Sequence, residues 1–162
     1  MIAHEVIKEV LGTARFVMSS YLRDLRDDEL LVQPVAGAHN AAWQLGHLIV
    51  SECKMADGVR AGSGIKLPEG FEAAHPKDAT AGTMPRTYSK AEYEALMRDQ
   101  RLKTLQLLDS LSAEALSAPA PEFMRAYAPH VGSVFASIAG HELMHSGQIA
   151  VIRRALGKPV VI

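Results

Sequence analysis

Apolar residues recur at third and fourth positions in four separate stretches of this chain, and no stretch alternates with period two over a strand's length. This constrains the fold most, because three-to-four spacing lines one face of a helix and alternation lines one face of a strand. The first stretch runs from Ala3 to Leu25, with Ile7, Leu11, Ala14, Met18, Tyr21, Leu22 and Leu25 on one stripe. The second starts at Asn40, whose side-chain oxygen suits an N-cap, and ends near Arg60 before Ala61-Gly62-Ser63-Gly64. The third has Ser89 and Glu92 at capping-box spacing, with Tyr88 and Tyr93 at the staple positions. Leu96, Met97, Thr104, Leu107, Leu108 and Leu111 continue its inner face. A short helical turn over Ser112 to Leu116 and a loop punctuated by Pro119, Pro121 and Pro129 follow. The fourth runs from about Ser133 to Leu156, with Gly157 at the C′ position and Pro159 beyond. The expected fold class is all-α.

Residues 61–88 connect the second and third helices and hold Gly62, Gly64, Gly70, Gly82, Pro68, Pro76 and Pro85. Connections above roughly 12–15 residues are uncommon in compact domains unless they cross over or carry function. A four-helix bundle with a long crossover between its middle helices accounts for this one. At 162 residues the chain fits one domain, residues 1–162, which can bury a core without disulfide or metal staples. A net charge of −1 and a pI near 6.7 leave no electrostatic footprint for nucleic acid or an anionic membrane. The single cysteine, Cys53, excludes an intrachain disulfide and fits a reducing cytosol. His4, Glu5, Lys8 and Glu9 interrupt any signal-peptide h-region, and no apolar run approaches the ~20 residues of a membrane helix. The expected location is cytoplasmic.

The histidines carry the chemical information. His141 and His145 are four apart in the fourth helix, about 40° apart on its wheel. Val134, Ile138 and Ile152 share the same ~60° sector, so both imidazoles are expected to point into the core. Burying two unpartnered polar rings would cost on the order of 1–3 kcal/mol each. A divalent metal can satisfy both, since i, i+4 histidines can reach one ion at ~2.0–2.1 Å. Hydrogen bonds to neighbours can also satisfy them, and spacing alone leaves both readings open. His47 lies in the second helix, about 160–240° from the face defined by Leu45, Ile49, Cys53 and Ala56. That helix is apolar nearly all round, so His47 can face the bundle axis, but its wheel does not require it.

Trp43-Gln44-Leu45-Gly46-His47-Leu48, His141-Glu142-Leu143-Met144-His145-Ser146-Gly147-Gln148 and Arg153-Arg154-Ala155-Leu156-Gly157-Lys158-Pro159 together resemble the DinB-like (damage-inducible) superfamily. The resemblance covers essentially the whole chain. It implies a four-helix bundle with an up-down-down-up path, and a metal triad of His47, His141 and His145. Characterised branches of the superfamily include transferases and isomerases that use low-molecular-weight thiols. Relatives are often dimers, and the apolar tail Val160-Val161-Ile162 after Pro159 either covers the bundle end or packs on a second subunit. A homodimer is therefore expected.

Two rival metal motifs overlap the same stretch. His141-Glu142-Leu143-Met144-His145 matches the zinc-protease H-E-x-x-H, but no histidine follows as a third ligand and no sheet is evident to hold a peptide. A structural or solvent-facing Glu142 is the preferred reading, with action on a bound water as the alternative. Glu142…His145 and Glu72…His75 both read E-x-x-H, the di-iron bundle signature, but the second lies in the Gly/Pro-rich crossover without a helix. Gln44, Glu142 and Gln148 are candidates to line the pocket or orient a ligand. Trp43 is expected as a core anchor, His39 and His130 as loop residues, and Cys53 as a buried small hydrophobe.

Three neutral imidazoles leave an ion's charge uncompensated and a coordination position open, as in catalytic zinc sites. Such an ion brings the pKa of a coordinated water to around 7 and ionises a coordinated thiol. Zinc or nickel is the expected metal, and its occupancy is expected to fall as pH drops through ~6.5. Two functional classes follow. One is a metal-dependent enzyme acting on a small molecule, a thiol S-transferase with a hydrolase as its variant. The other is a non-catalytic, metal-stabilised bundle or stress-response module.

Overall fold

The computed structural model describes residues 3–78, 84 and 87–162. Gly82 and Pro85 of the expected crossover lie outside the described residues. Four long helices carry the fold: α1 (Ala3–Leu22), α2 (Ala41–Val59), α4 (Lys90–Asp109) and α6 (Val131–Ala155). Two short ones, α3 (Phe71–Ala74) and α5 (Ala113–Ser117), and 3-10 turns at Glu29–Leu31 and Glu122–Met124 punctuate the connections. Among the described residues there is no strand, only an isolated antiparallel bridge between Pro119 and His130.

Local chemistry sets the helix ends. Asn40 accepts from the Trp43 N–H at 2.9 Å and starts α2. Ser89 and Glu92 close a reciprocal capping box at the head of α4, and Tyr88 meets Tyr93 edge-on with ring centroids 5.8 Å apart. α6 ends in a Schellman motif: Gly157 takes φ +68°, its N–H bonds the Arg154 carbonyl, and the Lys158 N–H bonds the Arg153 carbonyl. The first helix stops at Leu22, three residues short of the expected end. Leu25 nevertheless stays buried in the turn that follows.

α1 packs chiefly on α6 and α2 on α4, with α2 also against α6. The core divides into two groups. One gathers Met18, Leu45, Ile49, Phe71, Tyr93, Ile149 and Ile152; the other gathers Leu11, Leu108, Met124, Val134, Phe135 and Ile138. α2 is buried on almost every side, as its apolar circumference foretells: residues 41–46 and 48–50 are all buried.

The crossover is anchored rather than loose. His75 is buried, its Nδ1 paired with the Phe71 carbonyl (2.7 Å) and its Nε2 with the Tyr93 hydroxyl (2.8 Å). Its ring lies flat on the backbone of α2 at Gly46, where a Cβ would come within 2.0 Å of His75 Cδ2. Any side chain at position 46 would expel the ring, so glycine there is a packing requirement. One residue on, the Pro76 carbonyl accepts from Trp43 Nε1 at 3.1 Å. Glu72 does have a helical turn beneath it, contrary to the expectation. It pairs with Lys54 at the surface while His75 turns inward, so the two cannot serve one metal site.

No helix among the described residues is long and apolar enough to cross a membrane.

Candidate metal centre

His47 from α2 and His141 and His145 from α6 bring one ligand atom each to within 4.8 Å of one another. His141 Nε2 and His145 Nε2 are 3.1 Å apart. Two nitrogens at 2.1 Å from a tetrahedral ion would stand ~3.4 Å apart, so this spacing fits a shared divalent ion with little adjustment. The ring centroids of His47 lie 5.0 Å from His141 and 5.4 Å from His145.

Two of the three rings are positioned by neighbours outside the triad. His145 Nδ1 is 3.1 Å from Gln44 Oε1, and the Gln44 amide donates to the His39 carbonyl at 3.1 Å. Because the amide nitrogen of Gln44 is engaged there, its oxygen faces His145 and requires a proton on Nδ1. The lone pair of His145 is therefore on Nε2, toward the other histidines. This is the outer contact that metal-ligating histidines usually make. His47 is held by stacking. His39, Trp43 and His47 follow at i, i+4, i+8, with centroids 3.6 Å apart in the first pair and 4.9 Å in the second. Trp43 is buried, as expected of an anchor, and ties this stack to the crossover through Pro76.

Burial makes these imidazoles reluctant to protonate. His145 is pushed down to about 3, first by desolvation and then by His141 and His47. His47 is pushed down to about 4 by desolvation, then by His141 and by the Lys77 ammonium. His141 is also lowered, by desolvation. Neutral rings are the ligand form, so proton competition sets in below the ~6.5 expected for free histidine. His145 is buried as its wheel position requires. His141 is half-buried and opens, with His47, on a surface cleft of about 570 Å³. Ser51, Met55, Lys77, Tyr127, Ser137, Gly140 and Met144 also line that cleft, and among the described residues no carboxylate does.

The other sequence candidates separate here. Gln44 joins the site. Gln148 is exposed and does not line the cleft, so the expected pocket role is not supported. Glu142 is buried, not solvent-facing, and both its oxygens are taken: Arg15 Nε at 2.7 Å and an Arg101 NH2 at 2.8 Å. Arg101 also grips Glu52 through two bonds of 2.9 and 3.1 Å, and Thr104 Oγ1 donates to the same carboxylate. Sequence reading missed this network, although its signal was present: Arg101 falls between Met97 and Thr104 on the inner stripe of its helix. Cys53 is buried, donates to Gln100 Oε1 at 3.0 Å, and is pushed up to about 11 by burial. It is an inert packing residue. His39 is in the loop before α2 and His130 is exposed at the start of α6, as expected; His4 lies within α1, bonded to the Leu111 carbonyl.

Four long helices with three histidines converging from two of them define an all-α protein with a group that could hold a metal ion. The chain belongs to the DinB superfamily, whose family model matches residues 11–149. Its fold is similar to the crystal structure of a conserved protein from Enterococcus faecalis, with a TM-score of 0.73 over 98% of this chain and 99% of that one, at 18% identity. No curated protein matches it.

Proposed function

We propose that this protein is a metal-dependent enzyme in which His47, His141 and His145 hold one zinc or nickel ion and a low-molecular-weight thiol attacks an electrophilic small molecule. The carrying observation is that three ligand atoms converge within 4.8 Å and two of the three histidines line an open cleft. A purely structural ion would be closed over by protein. Bound there, the ion supplies a Lewis acid that lowers the pKa of a thiol or water. In the net reaction the thiol proton passes to solvent and a sulfur–carbon bond forms. Either a leaving group departs with the bonding pair, or a double bond accepts that pair and is then protonated.

The chain's own residues favour thiol over water. A hydrolase of the H-E-x-x-H kind needs a free carboxylate base, whereas Glu142 is engaged by Arg15 and Arg101 and, among the described residues, no carboxylate lines the cleft. Nor can the chain provide the thiol, since Cys53 is buried and bonded to Gln100. Gln44 keeps the His145 lone pair on Nε2, and the Trp43 stack holds His47 over the cleft.

The reading includes a single domain over residues 1–162, an up-down-down-up helix path, a cytoplasmic location and a homodimer. The long connection between α2 and α4 supports the path. The exposed Val160 and Ile162 of the tail support the dimer. The test is elemental analysis of tag-free protein, followed by a conjugation screen of thiols against electrophiles. Stoichiometric metal that disappears in His145→Ala, with metal-dependent conjugation, is the expected result. Protein that holds no metal, or that holds metal and gains only thermal stability from it, would overturn the enzyme reading.

A further inference from the structure

We propose that Lys77 selects a carboxylate-bearing substrate, pairing its ammonium with that carboxylate while the reacting end of the molecule lies at the histidines. This rests on the cleft being the substrate site, as above, but not on which metal is held.

Lys77 comes from the crossover, yet it lines one cleft with residues of α2 and α6, and the two residues before it are pinned. His75 is wedged on Gly46 and bonded at both ring nitrogens. The Pro76 carbonyl is bonded by Trp43, the residue that also stacks on His47. The lysine thus follows directly from an anchored segment. Its charge has no ion-pair partner among the described residues, and positions 79–83, 85 and 86 contain no Asp or Glu. Among the described residues no carboxylate lines the cleft, and the Lys77 ammonium is the one formal charge there. A cleft of one sign concentrates ligands of the other. One ammonium, in a cleft that Ser51, Ser137 and Tyr127 also line, suits a single negative charge. Lysine acts as a point charge on a flexible stem, without the fork that favours bidentate phosphate binding.

The test uses 3-mercaptopropionate and 3-mercapto-1-propanol, equal in length and different in charge. Amide chemical shifts of the cleft residues would be followed during titration of the wild type, Lys77→Gln and Lys77→Arg, both zinc-loaded and chelator-stripped. The acid should bind roughly fivefold more tightly than the alcohol to the wild type, in the range of a partly exposed ion pair. That preference should vanish in Lys77→Gln and survive in Lys77→Arg. Equal binding of acid and alcohol by the wild type, or a preference that persists in Lys77→Gln, would overturn the proposal. Adding 3-(methylthio)propionate shows which reactant carries the charge. If it keeps the Lys77 preference the carboxylate can belong to the electrophile, and if only the free thiol shows it the carboxylate belongs to the thiol. The stripped protein separates this inference from the metal reading, because failure to retain zinc leaves the Lys77 preference measurable.

Discussion

Two groups of polar side chains interrupt the apolar stripes of this bundle, and they meet at adjacent residues, His141 and Glu142. In the first, Glu142, Arg101, Glu52 and Arg15 alternate in charge, and each carboxylate oxygen and most guanidinium nitrogens find a partner at 2.7–3.1 Å. In the second, three neutral rings turn their nitrogens toward one another, with Gln44 as an outer support. The first group satisfies itself. The second carries no charge of its own and holds one internal contact, His145 Nε2 to His141 Nε2 at 3.1 Å, at a spacing that also suits a shared cation. Glu142, Glu52 and Arg101 are buried while His47 and His141 are half-buried at a cleft, so exposure to the cleft and internal charge balance together separate the structural cluster from the candidate site.

The largest expected effect tests the self-satisfied group. Arg101→Ala leaves two carboxylates buried without their shared cation, and should cost ~3–5 kcal/mol in urea unfolding. A loss below about 1 kcal/mol would mean that the network is not closed as described. The contrasting variant is His47→Leu. It should lose metal on elemental analysis, yet change the unfolding free energy of the metal-free protein by less than ~1 kcal/mol, since His47 is half-buried and held by ring stacking. Gln44→Leu is intermediate in kind. It removes the bond that fixes the His145 tautomer and should weaken zinc affinity roughly 10–100-fold, measured by competition with a chromophoric chelator.

A further expected effect tests the comparison through pH. His47 and His145 titrate near 4 and 3 in the fold against about 6.5 in the unfolded chain. The unfolded state therefore binds protons first. Metal-free protein should keep its stability above about pH 6.5 and lose it progressively as pH falls toward the folded values. In His47→Leu the same unfolding series between pH 7 and 4.5 should slope less steeply. An unchanged slope would show that burial does not depress His47.

Much of this was readable in advance where the physics is local. The caps at Asn40, at Ser89 with Glu92, and at Gly157 depend on groups within a few residues, so sequence spacing specifies them. That His141 and His145 share one face follows from their helix's periodicity, but only His145 is buried as the wheel predicts, and His141 is half-buried at the cleft. The direction of His47 does not follow in this way, because α2 is buried nearly all round and no face of its wheel is distinguished. Gly46 could be recognised as unusual in a helix but not explained, since the ring that requires it is His75, 29 residues away.

Sequence pattern specifies the four long helices, their capped ends at Asn40, Ser89 and Gly157, and the identity of the three imidazole donors. Each of these is a matter of hydrophobic period, local hydrogen bonding or family motif. Packing between helices and crossover settles that His47 meets the α6 pair, that Glu142 belongs to the arginine network and that Lys77 lines the cleft. Those outcomes depend on contacts between elements far apart in the chain, chosen by packing and charge pairing across the bundle rather than by the spacing of residues along it.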